Sequence, residues 1–232
     1  MSLPTPPCSN VFWNPTFRII PSRYPPIDLF ERVAPPEDWD AIANLEMLTN
    51  PRLRQEWGEI SLVPVERRVS GPGASWVMAA FTQLNPSGSR FTDGSYGVYY
   101  ASKEIETAIA ETVYHMGLFY SSTSDEPHRE DMRVLLGAID AMLHDIRDGS
   151  TWESAYHPTD YGNSQTLALA LRAQDSEGIV YNSVRRPDGE NIAAFWPDVV
   201  SIPSQGDHLA YEWNGRTISR YFDYQEEAWV DL

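Results

Sequence analysis

Arg90-Phe91-Thr92-Asp93-Gly94-Ser95-Tyr96-Gly97-Val98-Tyr99-Tyr100-Ala101-Ser102-Lys103 opens a stretch that runs on to Glu111 and decides how the chain is read. An arginine precedes a Gly-rich turn. Val98 to Tyr100 is β-branched and aromatic, and predicts a strand. Ser102 is a good helix N-cap, and Glu104 and Glu106 put negative charge in the first turn. Ile105, Ala108, Ile109, Thr112 and Met116 recur at helical spacing and predict a buried stripe. Glu111 lies beside that stripe, on one edge with Glu104, Ala108 and His115. One arginine, one tyrosine and one carboxylate therefore gather around a single loop–strand–helix unit.

Around this unit the chain has 232 residues, within the range of one domain, and 42% hydrophobic content, enough for a sizeable core. Eight Trp and twelve Tyr suit packed β structure or a stacking site. The formal net charge of −16 argues against direct binding to nucleic-acid backbones, which needs a basic surface. A single cysteine, Cys8, excludes an intrachain disulfide framework and fits a reducing compartment. With neither a charged-then-apolar leader nor an apolar run near ~18 residues, the chain reads as soluble and cytoplasmic, with no membrane partner.

Taken in order, residues 1–10 read as loose. Val11 to Ile20 predicts a first strand interrupted at Pro15 and carrying Arg18. Pro35-Pro36-Glu37-Asp38 predicts a helix start, continued by Trp39, Ile42, Leu45 and Leu48, with a second short helix over Arg52–Trp57. Val63 to Val69 reads as a strand or extended run with Arg67 and Arg68 solvated. Ser70 to Ser75 resembles a phosphate loop only superficially, lacking the Walker lysine and the Rossmann glycine spacing. Val77 to Phe81 belongs in the core. Phe119 to Asp131 reads as a surface loop, and Met132 to Ile139 as a strand. Asn163-Ser164 caps a helix over Gln165–Ala173. Gly178–Val184 and Ile192–Trp196 read as two strands of a hairpin. His208 to Trp213 and Arg216 to Phe222 flank Asn214-Gly215, a type I′ hairpin signal over 207–225.

Several chemistries find little support. Five histidines show no paired spacing, so no metal site is readable. His115 reads as a helix-surface or partly packed residue ahead of a catalytic one. No Gly-x-Ser-x-Gly elbow marks a common serine hydrolase. The Arg90 set suits a substrate with anionic phosphates and a centre that becomes cationic. Arg90 would grip a phosphate, Tyr100 would offer a ring face and a hydroxyl, and Glu111 would stabilise the developing charge. A structural Arg90–Glu111 ion pair is the competing reading. Arg18 is either a second anion contact or a charge on a strand surface.

Arg90, Tyr100 ten residues on, Glu111 eleven further and Ser183 within Gly178-Ile179-Val180-Tyr181-Asn182-Ser183-Val184 resemble the RES-domain family, named for its arginine, glutamate and serine. The similarity extends from about Phe17 to about Pro197. Ser89-Arg90-Phe91 stands where the family has glycine-arginine-tryptophan. The resemblance implies one domain over 1–232 with an α+β, ADP-ribosyltransferase-like fold: a split, twisted β-sheet core with helices outside. It implies a toxin of a toxin–antitoxin pair that cleaves NAD at the nicotinamide–ribose bond, by hydrolysis or phosphorolysis. Protein ADP-ribosylation from the same site, or a non-catalytic docking module, are the alternatives. In this reading NAD is substrate, with no resident cofactor or metal. Arg90, Tyr100 and Glu111 are catalytic. Arg18 and Ser183 bind substrate, and Ser183 could instead hold Glu111 in place. A small helix-turn-helix antitoxin is the expected partner, and self-association is left open.

Overall fold

Polar–apolar alternation and β-branched runs dominate the second half of the chain, and a mixed α+β fold follows. The computed structural model describes residues 4–23, 35–41 and 58–232. Eight strands form one twisted sheet: β1 (Cys8–Pro21), β2 (Tyr99–Ser102), β3 (His128–Asp145), β4 (Gly178–Asn182), β5 (Glu190–Ala194), β6 (Ser204–Trp213), β7 (Ile218–Asp223) and β8 (Ala228–Asp231). The α-helices that lie wholly within the described residues are α1 (Ala74–Thr82), α2 (Ile105–Ser122) and α3 (Gly162–Arg172).

The sheet splits along β3. Its one edge pairs with β1 over nearly the whole strand. The other edge is shared: its first half pairs with β6, and its end pairs in parallel with β4 at His144↔Ile179 and Asp145↔Val180. One branch continues β4–β5–β2 and returns to β1, closing a ring; the other runs out as the β6–β7–β8 meander. Two cores result. The larger fills the ring and the space under α1 and α3, with Tyr99, Val180, Ile192 and Phe195 buried. The smaller lies under α2, where Ala108 and Ile109 pack on Ile19, Met132, Val134 and Leu209.

Several sequence expectations need correction. Cys8 to Asn10 are not loose, because they pair with His144 to Met142 at the start of β1. Pro15 does not interrupt that strand; the ladder shifts register between Trp13 and Thr16 and continues, a bulge absorbing the proline. Val63–Val69 forms no strand: Val63 and Arg68 are extended, as one of the two expectations had it, but the 3₁₀ turn Val65–Arg67 lies between them, and a second turn, Ile60–Leu62, precedes them. Arg68 is buried there, donating to the carbonyls of Val63 and Pro36 and pairing with Asp40 at 3.0 Å. Arg67 pairs with Asp175 and Asp198 and stacks over Trp196. Phe119 to Asp131 is mostly the end of α2 and the start of β3, leaving a short turn between them. Pro36–Asp38 forms a 3₁₀ turn, while most of the helix expected to follow it and the one at Arg52–Trp57 lie outside the described residues.

The expected C-terminal hairpin is present, with β6 and β7 joined through Asn214–Thr217. Asn214 donates its amide to the Thr217 carbonyl at 3.2 Å, and its Oδ1 accepts from the amides of Arg216 and Thr217. Only Gly215 of the pair takes a positive φ, +89°, so the turn is not type I′: one left-handed residue and the Asn214 side chain close it together. Among the described residues, no helix is long and apolar enough to cross a membrane.

Candidate active site

The register of the ring places one row of side chains on a common face. Phe17 pairs with Ser102, Ser102 with Asn191, and Asn191 with Tyr181, while Tyr100 stands two residues from Ser102. Directly paired residues share a face, and so do residues two apart on one strand. α2 crosses this face with Ala108, Glu111, Thr112 and His115 towards it, and the loop bearing Arg90 closes one end. The enclosed cleft measures about 610 Å³, within the range typical of small-molecule sites.

Hydrogen bonding within the sequence fixes that loop. Ser89 donates its amide to the Thr92 carbonyl at 2.8 Å, and Thr92 Oγ1 donates to the Tyr96 carbonyl at 2.6 Å. Gly94 is at φ +95°, and a Cβ there would stand 2.8 Å from the Asn85 carbonyl oxygen, so only glycine fits. Gln165, from α3, donates to the carbonyls of Ser89 and Thr92. Tyr100 reaches back from β2: its hydroxyl lies 2.7 Å from Ser89 Oγ and accepts the Phe91 amide at 3.0 Å. Burial pushes the Tyr100 hydroxyl up to about 12, opposed by these two bonds, so it stays neutral near pH 7. Its hydroxyl is thus committed to the loop, and its ring is what the cleft meets. Phe91 is fully buried and edge-on to Tyr181, with centroids 4.8 Å apart. It packs in the core and is not among the residues lining the cleft.

Arg90 is 9% exposed. Its Nη1 donates to the carbonyls of Ala155 and His157, both at 3.0 Å, and its guanidinium stacks 4.7 Å from the Tyr161 ring centroid. Arg18 donates Nη1 to the Tyr100 carbonyl at 2.9 Å and lies 4.6 Å from the Tyr99 ring centroid, while its buried Nε has no partner. Burial lowers its pKa, with Tyr99 and Tyr100 opposing. Arg18 is therefore no surface charge. Among the described residues neither arginine forms an ion pair with a carboxylate. Two buried cations held only by neutral dipoles are costly unless an anion completes them.

Glu111 is held differently. Its Oε1 accepts from Ser183 Oγ at 2.7 Å and from Asn191 Nδ2 at 2.9 Å. Ser183 Oγ itself accepts the amides of Arg185 and Arg186, both at 3.0 Å, which turns its proton towards the carboxylate. Asn191 is buried, and its Oδ1 accepts from Ser102 Oγ at 2.6 Å. Ser102 therefore serves this chain of bonds and is not the helix cap; the N-cap position belongs to Glu104. Ser183 sits one residue beyond β4 and does not line the cleft, so its place is behind Glu111. Glu111 Oε2 is left on the open side, 4.0 Å from His115 Nε2.

Asn191 is the member that sequence reading missed. It falls one residue before the strand expected at Ile192. Asn191 follows Asp188-Gly189-Glu190, so it reads as the end of a polar turn, and asparagine disfavours strand on propensity.

These arrangements fit a known class. The RES domain family matches residues 65–214, well over half of the chain, and the chain belongs to that family. It is 30% identical over 211 residues to the uncharacterized protein y4oC of Sinorhizobium fredii (strain NBRC 101917 / NGR234), covering 90% of this chain and 87% of the relative. It is also similar to a chain in the crystal structure of the M. tuberculosis MbcT–MbcA toxin–antitoxin complex, with a TM-score of 0.45, 8% identity, and coverage of 89% of this chain and 87% of that one.

Proposed function

We propose that the cleft binds NAD and breaks the bond between nicotinamide and ribose, and that the chain acts as the toxin of a toxin–antitoxin pair held in check by a small helix-turn-helix protein. The observation that carries the chemistry is Glu111: one carboxylate oxygen anchored by Ser183 and Asn191, the other free towards the cleft. Nicotinamide leaves as a neutral base, taking the bonding pair and passing its positive charge to the ribose ring. No leaving-group proton is needed. The requirement is a preorganised negative charge beside the ribose carbon, where such a group acts without reorganising.

Arg90 and Arg18 supply the complementary half. Among the described residues each is a cation without a carboxylate partner, in a chain of net charge −16, and the NAD diphosphate would bring the missing anion. The ring of Tyr100 lines the same cleft and can pack on the ribose. Holding both ends of the dinucleotide in one cleft converts binding energy into orientation. The toxin role and the antitoxin rest on RES-family membership.

The test is incubation of the purified chain with NAD and separation of the products, with and without phosphate. Free nicotinamide is expected, with ADP-ribose or its 1-phosphate as the second product. NAD recovered intact refutes the reading, and label retained on protein redirects it to ADP-ribosyl transfer. Expression without a partner should lower cellular NAD and stop growth.

A further inference from the structure

We infer that His115 is the proton acceptor for the water that replaces nicotinamide, an inference that rests on the NAD-cleaving reading above. The cleft lining contains few groups able to take a proton. Among the described residues lining it, Glu111 is the one carboxylate and His115 the one imidazole; Arg18 and Arg90 are cations, and the Tyr100 and Tyr181 hydroxyls are held in the neutral, protonated form by burial. Glu111 is already engaged. Oε1 holds two hydrogen bonds, and Oε2 is the charge that faces the ribose carbon. A carboxylate that took up the water proton would lose the negative charge its first task requires. His115 has no such conflict. It follows Glu111 by one helical turn, its Nε2 is 4.0 Å from Oε2, and its side chain is 53% exposed, so water reaches it.

Its surroundings keep it an acceptor. The ring rests edge-on to Tyr114 at 5.2 Å, and Arg185 stacks on the Tyr114 ring at 3.3 Å. The charged groups facing it are Glu111, Arg185 and Arg90. Although about half of the side chain is open to water, partial desolvation on its packed side lowers the His115 pKa below the ordinary imidazole value; Glu111 opposes, and Arg185 and Arg90 add to the lowering. Near pH 7 the imidazole is neutral. In the step itself, the C1′–N bond breaks and nicotinamide departs with the electron pair. The water oxygen bonds to C1′, and one water proton passes to His115 Nε2, from which it returns to solvent. The products are nicotinamide and ADP-ribose, and no other reactant is consumed.

The experiment compares parent, His115→Ala and His115→Gln for steady-state NAD hydrolysis from pH 5 to 8, with and without added imidazole, alongside thermal melting. Positioned general bases contribute on the order of 10²-fold or more. Hydrolysis should fall about 10²-fold in both variants with melting unchanged. The acid limb of the parent pH profile, in which turnover falls as pH drops through the His115 pKa, should disappear. Free imidazole should restore part of the rate in His115→Ala. A merely structural role would move none of these last two readouts. If the parent cleaves NAD and both variants match it, the inference is overturned while the NAD reading stands. If a slowed His115→Ala is not rescued by imidazole and keeps the acid limb, the inference is likewise overturned. A parent that leaves NAD intact removes the reading and the inference together.

Discussion

Two charged clusters sit on neighbouring parts of the same ring and are built on opposite plans. At the end of β3, Arg147 bridges Asp145 and Glu190, with nitrogen–oxygen distances of 2.5 Å to each, and Lys103 adds a second contact to Glu190 at 2.7 Å. Every charge there is answered by another charge. One residue along β5, Asn191 turns into the cleft, and the plan reverses. Glu111 is held by a hydroxyl and an amide, Arg90 by carbonyls, and Arg18 by a carbonyl and a ring face. Neutral dipoles fix position without neutralising. The first cluster is complete within the chain. The second is positioned but uncompensated, which is what the proposed NAD site would require.

The widest separation between the plans should appear on removing one charge from the cleft. Glu111→Gln keeps the shape and removes the charge. If the carboxylate stabilises a developing cation, turnover of NAD should fall by about 10²–10³. Stability should move within about ±0.5 kcal/mol, because Oε2 is open and Gln still accepts through its carbonyl oxygen. The two measurements belong on the same preparation. Parent-rate cleavage by this variant would collapse the distinction between the clusters.

Next in size is the support behind the carboxylate. Ser183→Ala deletes one hydrogen bond to a charged group, worth roughly 1.5–3 kcal/mol, or about a tenfold to hundredfold loss in kcat. KM for NAD should change less, because Ser183 does not line the cleft. A variant that raises KM and leaves kcat alone would move Ser183 from positioning to substrate contact.

How much of this was legible in the sequence depends on how far apart the partners lie. Arg90, Tyr100 and Glu111 belong to one loop–strand–helix unit whose turn glycines, strand residues and helical stripe are all local, and the reading gathered them. Ser183 was found through its motif, and its bond to Glu111 was one of the roles considered. Asn191 was not found, because only the β2–β5–β4 pairing brings it beside Ser102 and Tyr181. Ser102 was given to the helix cap by its position, and a partner 89 residues away took its hydroxyl. Arg68 failed for the same reason: it looks solvated until Asp40 and the Val63 and Pro36 carbonyls close over it. Local chemistry is readable in order along the chain, and sheet register is not.

On the compensated cluster the expected effect is on stability alone. Arg147→Met leaves Asp145 and Glu190 facing each other without their shared cation. The groups are partly exposed, so the loss should be about 1–2 kcal/mol, between the values for surface and buried pairs. NAD cleavage by the folded protein should match the parent. Lost cleavage at full stability would mean that the two clusters act as one.

The smallest effect is also the one that tests whether the compensated cluster is electrostatic at all. Burial by itself raises the carboxyl pKa of Asp145 and of Glu190. Hydrogen bonds and charge attraction from Arg147 outweigh it in both, joined by Ser9 at Asp145 and Lys103 at Glu190, and each is held below its ordinary value. A carboxyl whose folded pKa is depressed contributes stability that is fully present above its unfolded pKa, about 4, and is lost as pH falls through the lower folded value. The Met variant loses the Arg147 share of the depression and keeps the parts due to Ser9 and Lys103, so its own stability should be flatter in this window. The difference in unfolding free energy between parent and Arg147→Met should therefore hold steady from pH 7 to about 5 and narrow, by under about 1 kcal/mol, as pH drops below about 4. Denaturant unfolding of both proteins at pH 7, 5, 4 and 3 measures it. A difference that stays constant to pH 3 would show that Arg147 stabilises by packing its stem. The contrast between charge answered by charge and charge held by dipoles would then rest on the cleft alone.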